Sequence, residues 1–409
     1  MKTRSHTIAL VAASLLVPLS VGLGPSSATA SSGITHRNVP VCAAPVAGAA
    51  SCDAIVNEAL LPDGRIAPGV VPSGYGPVDL QSAYALATAS AGNGSGKTVA
   101  IVDAYNDPYV RADLCMYRTQ WKLTPLVGCN SATAGMTLTV VNQSGGTKLP
   151  KNNGGWAEEI SLDVDMVSAI CPNCNILLVE ASTSSLTNLG AAVNTAAAAP
   201  GVTAISNSYG GSESSADLSY DSSYYNHPGI AITASSGDSG YGASYPAASQ
   251  YVTSVGGTTL TRSAATRGWS ETAWSKAGSG CSSYDPQPTW QSSLTNISGV
   301  CSKRAIADVS AVADPNTGVA VYDSYSYQGL SGWLVFGGTS VSSPIIASVY
   351  ALAGNASSVF YASSPYGHTS SLNDVVSGSN GTCGNLLCNA ADGWDGPTGL
   401  GTPLGIGAF

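Results

Sequence analysis

The sequence predicts an α/β fold, with a doubly wound, mainly parallel sheet and helices on both faces. From Tyr75 onwards, short runs of β-branched residues alternate with stretches of helical length, and this alternation is typical of parallel strands joined by crossover helices. Hydrophobic residues make up 44% of the 409 residues, which supplies the core that such a sheet needs. One large domain at residues 75–409 can hold the whole pattern.

The predicted elements follow one another in a regular order. Length and β-branched content predict strands at residues 98–102, 137–141, 176–179, 202–205 and 230–234. The helices predicted between them lie at residues 111–121, 156–170, 186–199 and 216–225. Residues 31–74 are rich in Ala, Val, Pro and Gly, and we predict that they form a short N-terminal extension and not a domain.

Residues 1–30 have the pattern of a secretory signal peptide. Lys2 and Arg4 precede a mostly apolar stretch at 8–23, and small residues at 28 and 30 mark a cleavage site. A membrane anchor is the alternative, but Pro18 weakens this stretch as a span, and no other stretch approaches ~20 apolar residues. We therefore expect a secreted, extracellular protein with no membrane association after the signal is removed.

The cysteines agree with export. All ten follow residue 30, and an even number behind a signal peptide indicates disulfides. No His/Cys cluster has the spacing of a zinc site. The simplest of many connectivities joins sequence neighbours, namely Cys42/Cys52, Cys115/Cys129, Cys171/Cys174, Cys281/Cys301 and Cys383/Cys388.

Charged residues are scarce in this chain. They make up 10% of it, against about 25% in an ordinary soluble domain. A net charge of −9 without a cluster of Lys and Arg argues against nucleic acid as a partner. We expect a monomer. A protein with few ion pairs also has little stability to lose in acid, where carboxylates become protonated.

The first catalytic candidate is Ser340, in the stretch GGTSVSSP before an apolar run at 345–352. This pattern places a hydroxyl at a helix N-terminus, where backbone N–H groups stabilise a developing anion. A helix-capping serine is the alternative. A serine nucleophile needs a base, and no histidine lies in a suitable helix-opening context among His6, His36, His227 and His368.

Two carboxylates of the predicted helix at 156–170 could replace the histidine. Glu159 and Asp163 are four residues apart, so their side chains share one face. Such a pair can share a proton, which leaves one carboxylate available as a base in acid. The alternative is a solvated acidic face that includes Glu158 and Asp165, and spacing alone favours it.

Asp238 is the third candidate, in a Gly-Asp-Ser-Gly turn after the predicted strand at 230–234. Open α/β sheets bind ligands at the carboxyl ends of their strands, so Asp238 lies where an active-site group is expected. An aspartate that only shapes the turn is the alternative.

These motifs occur in the order found in the sedolisins, the serine-carboxyl peptidases, and the chain resembles that family from Tyr75 to its C-terminus. The resemblance rests on Glu159-x-x-x-Asp163, on Ser-Gly-Asp238-Ser-Gly and on Gly-Gly-Thr-Ser340-x-Ser-x-Pro. It implies a subtilisin-like fold and a serine endopeptidase that acts in acid on protein or peptide substrates.

The resemblance also implies a role for each residue. Ser340 would be the nucleophile and Glu159 its general base, while Asp163 would orient Glu159 and Asp238 would donate to the oxyanion. A carboxylate base works where imidazole is already protonated, and a neutral carboxylic acid can donate a hydrogen bond to an oxyanion.

Supporting groups follow from the same resemblance. Asp103 would be linked to the Glu–Asp pair, and Tyr209 stands where many members have Trp. The segment that contains Ser206, Ser208 and Gly210 is expected to lie beside the bound peptide and to pair with it as an extended strand.

The C-terminal stretch resembles the calcium site of the family. Side-chain oxygens of Asp374 and Asp395 and backbone oxygens of Val375, Ala391 and Gly393 would bind Ca²⁺, which prefers oxygen ligands on loops. The family usually has Gly where Ala391 stands, and an acidic loop without a metal is the alternative.

The extension departs from the family pattern. Sedolisins typically carry a folded propeptide much longer than residues 31–74, so either the chain matures without one or the extension stays attached. Two other functions remain open, which are a glycosidase that uses the paired carboxylates and a secreted binding protein that retains only the fold.

Overall fold

The structure is a computed structural model that describes Met1 and residues 33–409, so the predicted signal peptide, apart from Met1, lies outside the described residues. The strands, numbered in chain order, are β1 (Thr35–Pro40), β2 (Ser51–Cys52), β3 (Ile55–Leu60), β4 (Thr98–Ala104), β5 (Leu138–Asn142), β6 (Asn175–Ala181), β7 (Val202–Asn207), β8 (Tyr209–Gly210), β9 (Ala231–Ser235), β10 (Thr253–Arg262), β11 (Trp269–Ala273), β12 (Gly280–Pro286), β13 (Lys303–Ile306), β14 (Val309–Val312), β15 (Val319–Tyr327), β16 (Leu330–Gly337), β17 (Leu372–Asn373) and β18 (Thr402–Pro403).

The α-helices are α1 (Pro77–Ala83), α2 (Ala87–Gly92), α3 (Val110–Gln120), α4 (Gly154–Ile170), α5 (Leu186–Ala198), α6 (Asp217–Tyr220), α7 (Thr289–Ser292), α8 (Thr295–Ser298), α9 (Thr339–Ala353) and α10 (Ser363–Gly367). The predicted strands and helices are present with small shifts at their ends. The predicted helix at 216–225 is α6 followed by a π-helical turn at Asp221–Tyr225. None of the helices of the described residues is both long and apolar enough to cross a membrane.

The central sheet has the strand order β11-β10-β9-β7-β4-β6-β5, and β14 also pairs with β10. All its pairs are parallel except β10 with β11. Val99 to Ala104 in β4 are buried on both faces of the sheet, and α4, α5 and α9 all pack against this strand. This burial is typical of a parallel sheet covered by helices, which confirms the predicted α/β fold.

The sheet has a topological switch point at β4, its first strand. β5, the next strand of this sheet along the chain, forms one edge. β6 lies between β5 and β4, and β7, β9, β10 and β11 extend the sheet on the other side of β4. Clefts of open α/β sheets form at such points, beside the carboxyl ends of the strands. The carboxyl ends of β4, β7 and β9 therefore lie beside one cleft. Asp103 is the last residue but one of β4, while Ser208 and Asp238 follow the ends of β7 and β9.

A second sheet is antiparallel and has the order β1-β3-β16-β15. Its first two strands come from the predicted extension, where Val39 pairs with Val56, and Val56 also pairs with Phe336 of the large domain. Residues 35–60 are therefore built into the same structure as the rest of the chain. The boundary between extension and domain at residue 75 stays a prediction.

The described residues form five disulfides and few ion pairs, as the many cysteines and scarce charges predict. All five neighbouring cysteine pairs are bonded. Of the ion pairs in the described part of the chain, only Arg304–Asp308 is fully buried on both sides, and a buried pair of this kind is costly to break. Many acidic side chains are also buried without a basic partner, among them Asp103, Asp107, Glu158, Asp165, Glu180 and Asp323.

Candidate active site

Helix α4 carries Glu159 and Asp163 into the interior. The side chain of Asn153 caps the helix by accepting a hydrogen bond from Trp156 N at 3.2 Å. Every residue from Gly155 to Ile170 is buried, because α9 and β15 pack against this helix. The alternative of a solvated acidic face is therefore wrong, and both carboxyl groups need partners inside the protein.

Ser340 lies at the second residue of α9 and contacts Glu159 directly. Its Oγ donates to Glu159 Oε2 at 2.9 Å, and it also lies 3.1 Å from the carbonyl oxygen of Ser208. The serine is fully buried. A hydroxyl and a carboxylate at this distance form the nucleophile–base contact that serine catalysis needs.

A third carboxyl group completes a buried acidic cluster. Ser208 Oγ donates to Asp163 Oδ1 at 2.8 Å, while Glu159 Oε1, Asp163 Oδ2 and both oxygens of Asp103 have no hydrogen-bond donor among the described groups. Burial raises the pKa of Glu159 and of Asp163 well above their usual values, and neighbouring carboxylates raise both further. Burial raises the pKa of Asp103 to about 8. Such a cluster holds protons that its members share.

Asp238 follows β9 and lies at the start of α9. Its Oδ1 accepts from Thr339 N at 2.8 Å and from Thr339 Oγ1 at 2.9 Å. Its Oδ2 is buried and has no partner in the described structure. Burial raises the pKa of Asp238 well above its usual value, and the charge of Asp53 adds to the shift. A protonated Asp238 can therefore donate a hydrogen bond from this second oxygen.

The extension contributes a residue that the sequence did not indicate. Ser340 N donates to the backbone oxygen of Asp53 at 3.0 Å, and Ser235 Oγ donates to Asp53 Oδ2 at 2.7 Å. No motif in residues 31–74 singles out Asp53, so only the pairing of β2 with β8 and of β3 with β16 reveals it. Burial raises the pKa of Asp53 to about 7.

The remaining predicted residues divide between the cleft and the core. Gly210 pairs with Ser51 of the extension, so an extended strand already pairs with this backbone. Ser206 Oγ instead lies 3.0 Å from Ser343 Oγ of α9, on the helix side of the sheet. Tyr209 donates to Asn207 Oδ1 at 2.7 Å and makes no hydrogen bond to the acidic cluster.

The predicted calcium ligands lie together in two loops. Asp374 Oδ2 accepts from Gly393 N at 2.8 Å, and Asp395 Oδ2 accepts from Ala391 N at 3.0 Å. Burial raises the pKa of Asp395 to about 7, and the nearby charge of Asp374 contributes. The backbone oxygens predicted as ligands accept no hydrogen bond from the described residues; these belong to Val375, Ala391 and Gly393.

This donor set fits a hard cation, because it combines carboxylate oxygens with free carbonyl oxygens. Two further groups of three carboxylates could also hold an ion. They consist of Asp107, Asp113 and Asp323, and of Glu213, Asp217 and Asp285.

Comparisons with known proteins show which family the chain is similar to. Residues 145–364 match the sequence model of the subtilase family. The chain is 37% identical over 179 residues to sedolisin of Pseudomonas sp. (strain 101), across 40% of this chain and 29% of that protein. It is 28% identical over 375 residues to kumamolisin of Bacillus sp. (strain MN-32), across 82% of this chain and 63% of that protein. The matched regions thus span less than two thirds of these relatives.

A solved structure of Pseudomonas sedolisin, described as a serine-carboxyl proteinase complexed with two molecules of pseudo-iodotyrostatin, has a similar fold. It superposes with a TM-score of 0.64 at 25% identity, across 81% of this chain and 96% of that chain.

Proposed function

The chain belongs to the subtilase family, among its sedolisins, and on this premise we propose that it is a secreted serine-carboxyl endopeptidase that acts in acid. The observation that carries the proposal is the 2.9 Å hydrogen bond from Ser340 Oγ to Glu159 Oε2 inside a buried acidic cluster. His227 and His368 have hydrogen-bond partners elsewhere, in Asn194 and in the backbone of Ser364. A carboxylate is therefore the base that the geometry favours.

In the proposed reaction, Ser340 Oγ attacks the carbonyl carbon of the substrate while Glu159 takes the hydroxyl proton. Asp163 accepts a hydrogen bond from Ser208 and shares a proton with Glu159. The shared proton keeps Oε2 of Glu159 directed at Ser340. Ser340 N–H and the protonated Asp238 stabilise the oxyanion. Glu159 then passes its proton to the leaving amine, and water hydrolyses the resulting ester by the same route in reverse.

The first prediction concerns pH. Activity on an unfolded protein should rise as the acidic cluster loses its first proton and fall as Asp238 loses its own, because one acts as base and the other as donor. Burial raises the pKa of both groups, so neither limb should follow a free carboxyl group. Both limbs are displaced to higher pH, so we expect a bell-shaped profile with its maximum above about pH 4 and on the acid side of neutrality. A maximum near neutrality in initial-rate measurements would rule out this mechanism.

The same purified protein can separate the other functions. A glycosidase would release sugar from an aryl glycoside, and it would keep this activity after Ser340→Ala. A binding protein without activity would not react with a serine-directed fluorophosphonate. We expect covalent labelling at Ser340 and no glycoside hydrolysis, because Ser340 donates directly to the proposed base.

We also propose that Asp374, Val375, Ala391, Gly393 and Asp395 bind Ca²⁺. The ion would tie together two loops that contribute no long strand or helix, so its effect would be on stability. Binding of an ion present at 100 times its Kd contributes about 2.7 kcal/mol to the free energy of unfolding.

The second prediction follows from this site. EDTA should lower the melting temperature of the protein, and added Ca²⁺ should restore it. Asp374→Asn should lower the melting temperature in calcium and remove the response to EDTA. Asp392→Asn is the matched control, because Asp392 lies exposed in the same loop and is outside the predicted ligand set. Equal EDTA responses of wild type and Asp374→Asn would contradict the site.

A further inference from the structure

Four acidic side chains lie together where α6 packs against β12, outside the catalytic site. They are Glu213 after β8, Asp217 at the start of α6, Asp221 at the start of the π-helical turn and Asp285 near the end of β12. One carboxylate oxygen from each of Glu213, Asp217 and Asp285 lies within 4.8 Å of the other two. None of the four forms an ion pair with a Lys, Arg or His in the described part of the chain.

Two buried oxygens of this group have no hydrogen-bond partner among the described residues. Asp285 is fully buried, and its Oδ1 is one of them. The other is Oδ2 of Asp221, a side chain that is 2% exposed and whose Oδ1 accepts from Tyr245 Oη at 3.0 Å. Burial raises the pKa of Asp285 to about 9, and a hydrogen-bond contact with Asp221 contributes, so the two carboxyl groups face each other. Burial of such oxygens is costly unless a proton, a donor or a cation compensates it.

The spacing of the carboxylate oxygens suits a single hard cation. Ca²⁺ binds oxygen ligands at about 2.3–2.6 Å, so two ligands of one ion are at most about 5 Å apart. The oxygens of Glu213, Asp217 and Asp285 meet this limit. Backbone donors also orient two of these side chains, since Ser214 N donates to Asp217 Oδ2 at 2.8 Å and Ser283 N donates to Glu213 Oε2 at 3.1 Å.

Glu213 connects the acidic group both to solvent and to the substrate cleft. Its side chain is half-buried, whereas the other three acids are buried, so an ion can enter beside it. Gly210 and Gly211, shortly before it in the chain, line a cavity of about 540 Å³ that also contacts Asp238. An ion held here would therefore tie this wall of the cleft to β12.

We propose that Glu213, Asp217 and Asp285 bind a second Ca²⁺, with the free oxygen of Asp221 beside the ion. The site is separate from the one proposed at Asp374, and it does not depend on the proposed catalytic reaction. The competing occupant is a proton shared between Asp221 and Asp285. A cation differs from this proton because it needs the charges of Glu213 and Asp217 as well.

Binding at this site is expected to be weak. Ca²⁺ takes about six to eight oxygen ligands, so three or four carboxylate oxygens leave several positions to water. We expect a Kd of about 10⁻⁴–10⁻³ M, the range of extracellular calcium modules. Such a site empties on dialysis into calcium-free buffer, and the response to EDTA predicted for the site at Asp374 arises without it.

The experiment counts Ca²⁺ bound to the full chain by equilibrium dialysis with radioactive calcium at about pH 6.5, where ordinary carboxyl groups are ionised. At about 1 mM free Ca²⁺ the site is at least half filled, so Glu213→Gln should bind about 0.5–1 ion fewer per chain than wild type. The amide oxygen can still accept from Ser282 and Ser283, which preserves the local contacts. Asp217→Asn removes a second ligand and should have the same effect. Asp63→Asn is the matched control in an exposed turn and should bind as much Ca²⁺ as wild type.

Asp374→Asn distinguishes the two calcium sites. If both exist, Glu213→Gln and Asp374→Asn each lose one ion, and the double variant loses both. A loss in Glu213→Gln alone would support the present site and overturn the one at Asp374. Equal amounts of bound Ca²⁺ in wild type, Glu213→Gln and Asp217→Asn would overturn the inference, and the shared proton would then be the occupant.

Discussion

Replacement of Ser340 with alanine is expected to lower the kcat for peptide hydrolysis on the order of 10⁶-fold, because a nucleophile and its base act as one unit. Without Oγ, Glu159 has no proton to accept from the enzyme, and only the oxyanion donors and substrate binding remain. The measurement is the initial rate on an unfolded protein at the pH of maximal activity, with purified protein of confirmed fold.

Ser342→Ala is the matched control for this variant. Ser342 lies two residues further along α9, is equally buried, and donates to the carbonyl oxygen of Thr339 at 2.9 Å. Its replacement removes a hydroxyl from the same helix without touching Glu159, so activity should stay within a few-fold of wild type. Activity in Ser340→Ala close to that of Ser342→Ala would show that Ser340 is not the nucleophile.

Glu159→Gln is expected to lower kcat by about 10²–10⁴-fold, the usual contribution of a general base. The amide keeps the size of the side chain and can still accept a hydrogen bond from Ser340 Oγ, but it cannot take the proton. The acid limb of the pH profile should also change, because this limb reports the proton that leaves the cluster of Glu159, Asp163 and Asp103.

Glu158→Gln provides the comparison on the same helix. Burial raises the pKa of Glu158 to about 9, and the charges of Asp323 and Glu58 contribute, so this side chain already carries a proton in acid. The neutral amide is a close substitute, and activity should be retained. If Glu159→Gln and Glu158→Gln had the same activity and pH profile, the base would have to be another group.

Local patterns in the sequence were enough to predict the central sheet. Strands β4, β6 and β7 are short runs of β-branched residues, and longer stretches that fit helices separate them. Each element can therefore be recognised from a few neighbouring residues. The second sheet has no such signal. β3 pairs with β16, which lies far away in the sequence, and spacing along the chain carries no information about that partner.

The residues of the candidate active site also divide into those that local sequence motifs predicted and those that depend on distant contacts. Ser340, Glu159, Asp163 and Asp238 lie in recognisable motifs, and the structure brings all four around one cleft. The choice between a functional pair and a solvated face on α4 could not be made from spacing, because it depends on β15 and α9 packing over the helix. Asp53 could not be found at all, since its place comes from the pairing of β2 with β8 and of β3 with β16.

The buried acids of the core have a consequence for where this protein can persist. Burial raises the pKa of Asp107 to about 7, of Glu180 and Asp323 to about 8 and of Glu158 to about 9. The folded chain thus keeps protons that the unfolded chain releases near pH 4. The contribution of these groups to the free energy of unfolding is therefore largest below that pH and falls as the pH rises toward 7–9. A molecule that diffuses from an acidic niche into neutral surroundings would become more prone to unfold and to be degraded, which would confine its lifetime to the medium in which its chemistry operates.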